Sequence, residues 1–134
     1  MEGNMRGAIE RVCQGLGLPV GDSFSQDWAY ELPEEFRTRE FFERYLVAYS
    51  TPGYGPAEKR ALMQLILDVA NDLLERNEVL EDEAWEKVVM LLEADRRLHW
   101  DLIEHWALMG EPLENVFRLT PKMRTAREKL KPKE

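Results

Sequence analysis

The sequence predicts an all-α protein, a single-domain bundle of about five to six helices around a central helix with a wide apolar face. Apolar residues recur at helical spacing along most of the chain, no run of alternating apolar residues is long enough for a sheet, and Gly or Pro separates several of the helical stretches. With 134 residues, 44% of them hydrophobic, the chain suits one domain with a buried core.

Within this single domain, 1–134, the helical core is expected to span residues 28–120. Residues 1–27 read as irregular or as carrying a short helix over 5–14, which the glycines and proline of "GLGLP" would end. The segment "DWAYELP" is expected to be ordered but irregular, because its apolar side chains alternate and Pro33 limits a strand. Residues 121–134 are predicted to form a basic C-terminal helix and tail.

An aromatic-faced helix is predicted after Thr38, which is its predicted N-cap. It would end near Ser50, and the turn "TPGYGP" would lead to Pro56 at the first position of the next helix. The residues that share the inner arc of this aromatic helix are Phe41, Phe42, Tyr45, Ala48 and Tyr49.

The stretch "PAEKRALMQLILDVANDLLERN" gives the clearest helical pattern. Its apolar residues cover roughly 200° of the helix surface, more than one buried stripe requires, so this is the predicted central helix. They are Leu62, Met63, Leu65, Ile66, Leu67, Val69, Ala70, Leu73 and Leu74.

Three more helices are predicted in the C-terminal half. In "EDEAWEKVVMLLEAD" the inward residues would be Ala84, Trp85, Val88, Val89, Leu91 and Leu92. A break at Asp95 is expected, with Asp95 capping a helix from Arg96 to Met109, because an unbroken helix would carry charges onto the apolar stripe. Gly110 and Pro112 would end that helix, and Thr120 would cap a last short helix with Pro121 at its first position.

Both histidines lie in "RRLHWDLIEHWALMG". They are about 120° apart around the helix, so they do not form the i, i+4 pair that would chelate one metal ion. His99 lies on the apolar face and is expected to be a buried neutral histidine bonded to a carboxylate or backbone carbonyl, and His105 is expected to pair with Asp101. Trp100 points away from Trp106 and would be partly exposed or lie over another helix.

An acidic strip follows the polar side of the central helix and continues beyond it. Its members are Asp68, Asp72, Glu75, Glu78, Asp82 and Glu86, and Asn71 lies beside the first two. Such a strip is typical of a solvated face, and it can also bind a basic partner. As an alternative, Asp68, Asp72 and Glu75 could hold a divalent cation as in helical metal enzymes, which also need paired carboxylates from a facing helix. Glu83 and Glu86 have the i, i+3 spacing, but they lie away from most of the apolar face of their helix.

Charge is distributed unevenly. Residues 1–117 hold 11 Lys or Arg and 24 Asp or Glu, a net −13, whereas residues 118–134 hold 7 and 2, a net +5. An acidic body disfavours nucleic acid as a ligand of the main fold and favours a basic protein partner.

The lone Cys13 excludes an internal disulfide. Because the sequence shows no signal-peptide pattern and no apolar membrane span, the chain is expected to be cytoplasmic, with no membrane partner.

Enzyme signatures are missing: there is neither a Gly-rich phosphate loop nor a G-x-S-x-G elbow. The segments "YELPEEFRTREFFERYL", "EKRALMQLILDVANDLLE", "LHWDLIEHWAL" and "LENVFRLTPKMR" resemble a family of small acidic helical bacterial proteins, mostly without assigned chemistry. In size and charge the chain is also similar to immunity proteins that neutralise bacterial toxins.

These likenesses imply a non-enzymatic protein-binding module without cofactor or metal, an immunity protein that occludes a cationic toxin domain. The charge pattern, and not the likeness, predicts the acidic strip as the binding surface. The alternative function is a small metal-dependent hydrolase acting on nucleotides, which would use Asp68, Asp72 and Glu75.

Overall fold

The fold is all-α, as the sequence predicts. A computed structural model describes residues 2–18, 32–76, 80 and 82–131, and this part of the chain contains six α-helices and no strand. The helices are α1 (Glu2–Leu16), α2 (Arg39–Ala48), α3 (Pro56–Glu75), α4 (Asp82–Ala94), α5 (Arg96–Ala107) and α6 (Thr120–Leu130). Short 3₁₀ turns at Glu34–Phe36 and Leu113–Asn115 precede α2 and α6.

The central helix is α3, and its wide apolar face is confirmed. It packs against α1, α2 and α5, while α4 contacts α2 and α5 and α6 packs on α5. Because neighbours cover α3 on several sides, most of its apolar side chains are fully buried, and only Leu74 of the predicted set is partly exposed. The remaining buried residues of α3 are Glu58, Ala61 and Asn71.

Helix α1 is longer than the helix predicted over residues 5–14. Gly15 remains within the helix, and the chain turns at Gly17, whose φ of 70° is readily adopted only by glycine. The backbone N–H of Leu18 then donates to the carbonyl of Cys13 at 2.9 Å, and Leu18 is buried against the core. This is a Schellman-type end, with an apolar residue after the turn. Most of "DWAYELP" lies outside the described residues.

The starts of α2 and α3 follow the predicted signals. The Thr38 hydroxyl accepts the backbone N–H of Phe41 at 3.3 Å, which confirms the N-cap of α2. Pro56 begins α3, and the carboxylate of Glu58 accepts the N–H of Gly55 at 2.9 Å. Of the predicted aromatic arc, three rings are buried, Phe41 and Ala48 are half-buried, and Leu46 is an additional core residue.

The predicted break between α4 and α5 is present at Asp95, whose φ and ψ of −122° and 41° are not helical. The predicted side-chain cap is wrong, however. The Asp95 carboxylate makes no capping bond to α5, because it accepts the hydroxyl of Tyr49 at 2.6 Å instead. In α4 the predicted inward residues are buried, except that Trp85 and Leu91 are half-buried.

The end of α5 differs from the prediction. The helix stops at Ala107 and not at Met109, since Leu108 adopts the left-handed conformation with φ 44°. Arg124 of α6 stabilises this turn: its guanidinium donates to the carbonyls of Ala107 at 2.7 Å, Leu108 at 2.6 Å and Glu111 at 2.9 Å. The arginine thus satisfies carbonyls that a helix end leaves without partners.

Thr120 is the first residue of α6 and not its N-cap, which is Leu119. Its hydroxyl is buried and donates to the carbonyl of Trp106 at 2.8 Å, so it joins α6 to α5 instead of capping its own helix.

None of the helices in the described residues has both the length and the apolar character that crossing a membrane requires.

We expect Arg124→Ala to destabilise the fold by about 1–3 kcal/mol, because it strands carbonyls at the end of α5. Urea titration measures the effect. Lys129→Ala, an exposed substitution on the same helix, is the control and should leave the unfolding midpoint almost unchanged. Equal midpoints for the two variants would show that Arg124 does not hold the α5–α6 connection.

Candidate functional site

The first two carboxylates of the predicted acidic strip are neutralised inside the protein by Arg37. The guanidinium of Arg37 donates to the carboxylate of Asp68, and its Nε donates to Asp72 at 3.0 Å. Arg37 lies between the 3₁₀ turn and α2, so this pair of bonds fixes that segment against α3.

Arg37 is only 5% exposed, and its charge depends on these partners. Burial alone would lower the pKa of Arg37, but the hydrogen bonds and charges of Asp68 and Asp72 outweigh it and raise the pKa above its usual value. Arg76 completes the network: it donates to the backbone carbonyl of Arg37 at 2.5 Å and lies 3.8 Å from Asp72.

The remaining strip residues are separated from this network. Glu75 is exposed near the end of α3, where it accepts a hydrogen bond of 3.4 Å from Asn71, and Glu78 lies outside the described residues. Asn71 is buried and is not part of a solvated strip, because its side-chain oxygen Oδ1 accepts the N–H of Leu119 at 3.0 Å, just before α6. Asp82 and Glu86 lie on α4, and both are exposed.

The outer side of α4 carries four acidic residues that have no ion pair within the described chain, a property that the exposed Glu34, Glu35 and Glu43 share. We call it the α4 face; its exposed residues are Asp82, Glu83, Glu86, Lys87, Met90 and Glu93. Four carboxylates against one lysine give it a net charge of −3. Met90 lies among them and is 68% exposed, so an apolar side chain is surrounded by acidic ones.

The alternative metal site requires Asp68, Asp72 and Glu75 to face one cation. The position beside the first two is occupied by the guanidinium of Arg37, which already supplies the compensating charge. In the described ranges, no three side chains of His, Cys, Asp or Glu are grouped so that they could hold a metal ion.

A second polar cluster lies between α2, α3 and α5, around His99. The Tyr49 hydroxyl lies 2.6 Å from Nε2 of His99 and 2.6 Å from the Asp95 carboxylate. Nζ of Lys59 is 3.9 Å from the same carboxylate and 5.7 Å from the centre of the Tyr49 ring. His99 is completely buried, as predicted, but its direct partner is a tyrosine hydroxyl and not a carboxylate or carbonyl.

The protons of this cluster follow from its geometry. The Tyr49 hydroxyl has one proton, which it donates to Asp95, so its oxygen accepts the Nε2–H of His99. His99 is then the neutral tautomer with a bare Nδ1, and Nδ1 is the one buried side-chain polar atom of the described chain without a partner. A proton on Nδ1 would therefore have no hydrogen-bond acceptor.

Burial therefore holds His99 neutral. It lowers the pKa of His99 from its usual 6.5 to about 4, although the nearby Asp95 opposes the change. Burial also raises the pKa of Tyr49 above its usual range, and the bond to Asp95 raises it further. Because the pKa of His99 is lowered and that of Tyr49 is raised, both groups are neutral at neutral pH and form a structural hydrogen-bond chain. An acid–base pair for catalysis needs a pKa near the working pH.

His105 and Trp100, which lie in the same sequence stretch as His99, have packing roles. His105 does not pair with Asp101 as predicted, because Arg60 of α3 binds Asp101 through both of its terminal nitrogens. The His105 ring instead lies beside Trp106 and Phe117, with ring centres 5.5 Å and 6.0 Å away. Trp100 is half-buried, with the guanidinium of Arg127 5.7 Å from its ring centre.

In comparisons with known proteins, no protein-family model, no curated protein and no solved structure matches this chain.

His99 should make the stability of the protein depend on pH. The unfolded state binds a proton at about pH 6.5 and the folded state only at about pH 4, so stability is complete above 6.5 and falls as the pH drops toward 4. We expect the free energy of unfolding to fall by up to about 3 kcal/mol from this group. Chemical denaturation between these pH values measures it.

The matched variant is His99→Gln, which keeps an amide to bond Tyr49 and does not titrate. Because the carboxylates titrate in both proteins, the difference between wild type and variant isolates His99. That difference should grow in favour of the wild type as the pH rises. A difference that stays flat across this interval would contradict a buried neutral histidine.

Proposed function

We propose that the protein is a non-enzymatic binding module whose α4 face docks a basic protein partner, in the manner of an immunity protein that occludes a cationic toxin domain in the cytoplasm. The observation that carries the proposal is the contrast between two acidic groups. Asp68 and Asp72 are neutralised by a buried arginine, whereas the carboxylates of the α4 face have no ion pair in the described chain.

Unpaired carboxylates on one helix side steer a cationic partner and complement its charge. The exposed Met90 gives this face an apolar side chain that a partner can cover, and a flexible thioether adapts to different surfaces. An apolar centre with a charged rim is the arrangement in which interface residues commonly contribute binding energy. Asp82 and Glu86 of the predicted strip therefore remain in the proposed interface, and Glu83 and Glu93 join them.

The geometry favours this function over the nucleotide hydrolase. A divalent cation at Asp68 and Asp72 would have to displace the guanidinium of Arg37, which is buried and would lose its compensation. No cation of the described chain has to be displaced before the carboxylates of α4 can bind a basic partner. The strip of α3 thus supports the fold, and the α4 face supports recognition.

The test is protection from toxicity. The genes that flank its own are searched for a basic polypeptide that stops growth when it is expressed alone, and the chain is then co-expressed with that polypeptide. We expect the wild type to restore growth and the triple variant Asp82→Lys, Glu83→Lys, Glu86→Lys to lose protection. With purified proteins, the association rate of the wild type should fall as salt rises, and the variant should associate slowly at every salt concentration.

The matched control reverses three other exposed carboxylates, Glu34→Lys, Glu35→Lys and Glu43→Lys, which gives the same change of net charge on the 3₁₀ turn and α2. Thermal unfolding of both variants confirms that they fold. Protection retained by the control and lost by the α4 variant supports the α4 face. Equal behaviour of the two variants, or no protection by the wild type, would overturn the proposal.

A further inference from the structure

An open cleft lies where α3 begins and where α4 passes into α5. Its volume is about 550 Å³, and it is lined by Tyr54 and the first residues of α3 on one side and by residues 93–98 on the other. This volume is in the range of small-molecule sites. The cleft contains none of the carboxylates assigned to the partner interface except Glu93.

The charge of the cleft is opposite to that of the molecule. Lys59, Arg96 and Arg97 line it together with Glu93 and Asp95, which gives a net +1 in a chain of net −8. The carboxylate of Asp95 is already bonded to the Tyr49 hydroxyl and lies 3.9 Å from Lys59. Within the described chain Arg97 is exposed and has neither a hydrogen bond nor an ion pair from its side chain.

The start of α5 adds to this charge, because Asp95, its N-cap, gives the helix no side-chain capping bond. The start of α3 does not, since the Glu58 carboxylate already accepts the N–H of Gly55 at 2.9 Å. A helix start carries partial positive charge, and an uncapped start leaves backbone N–H groups for another acceptor. At α5 the cap is missing because Tyr49 holds the Asp95 side chain.

From the cleft, its cationic side chains and the missing cap of α5, we propose a binding site for the oxyanion group of a small molecule, a phosphate or a carboxylate. The planar guanidinium of Arg97 offers several N–H donors without a partner in the described chain, and such a set of donors suits a phosphate or a carboxylate. Lys59 and Arg96 line the same cleft, and the acidic body around it disfavours a nucleic acid, whose many phosphates would be repelled. This site shares only Glu93 with the proposed partner interface and does not depend on that interface.

The experiment is an NMR titration of the ¹⁵N-labelled protein with inorganic phosphate, and separately with acetate, at an ionic strength held constant with sodium chloride. We expect saturable shifts of the amide signals of residues 96–98 with at least one of the two anions. Arg97→Gln should weaken the affinity for that anion about tenfold, since a hydrogen bond to a charged group is lost. Arg44→Gln, which removes an exposed cation of α2 outside the cleft, should leave the affinity unchanged.

The anion that saturates identifies the chemistry: phosphate alone indicates a phosphate ester, acetate alone a carboxylate, and both an oxyanion in general. Unsaturable shifts with both anions would overturn the proposal. So would an equal loss of affinity in Arg97→Gln and Arg44→Gln, because the effect would then be one of net charge. Folding of the variants is checked by their thermal unfolding.

Discussion

The structure depends on the enclosure of α3 by other helices. A helix that is covered on several sides must satisfy every polar side chain it carries, because an unpaired charge away from water costs several kcal/mol. Arg37 meets this requirement for Asp68 and Asp72, and Arg60 of α3 reaches Asp101 of α5. The first two carboxylates of the acidic strip therefore link α3 to the segment before α2, whereas Glu75, Asp82 and Glu86 are exposed.

A polar side chain that bonds a distant partner also explains the junction of α4 and α5. Asp95 is at the capping position, but its carboxylate bonds Tyr49 and so ties α5 to α2. His99 is fixed by the other side of the same hydroxyl and is held neutral by burial. The Asp95 carboxylate thus makes a tertiary hydrogen bond to Tyr49 instead of a local capping bond. The start of α5, which lies at the cleft, therefore has no side-chain cap.

Local signals allowed the fold to be predicted. The cap at Thr38, the proline that begins α3 and the charges that would interrupt an apolar stripe at Asp95 all act within a few residues, and each is found where it was expected. The partners of the polar residues are distant in sequence: Arg37 is 31 residues from Asp68, and Tyr49 is 50 residues from His99. A single sequence carries no local sign of such pairings, because helix packing determines them. Arg37 offered one clue, a cation placed just before a predicted helix in an acidic chain.

The central claim is that Arg37 and the α3 carboxylates form one buried network, so that the acidic residues free for a partner lie elsewhere. A double-mutant cycle tests it most directly: Arg37→Met, the pair Asp68→Asn and Asp72→Asn, and all three together, compared by urea unfolding. Arg37→Met alone should cost about 3 kcal/mol, the lower end for a broken buried pair, because it leaves two partly buried carboxylates without their cation. Adding the asparagines should recover a large part of that loss, with a coupling energy above about 2 kcal/mol. Additive losses, with a coupling near zero, would mean that the carboxylates of α3 face solvent and not Arg37.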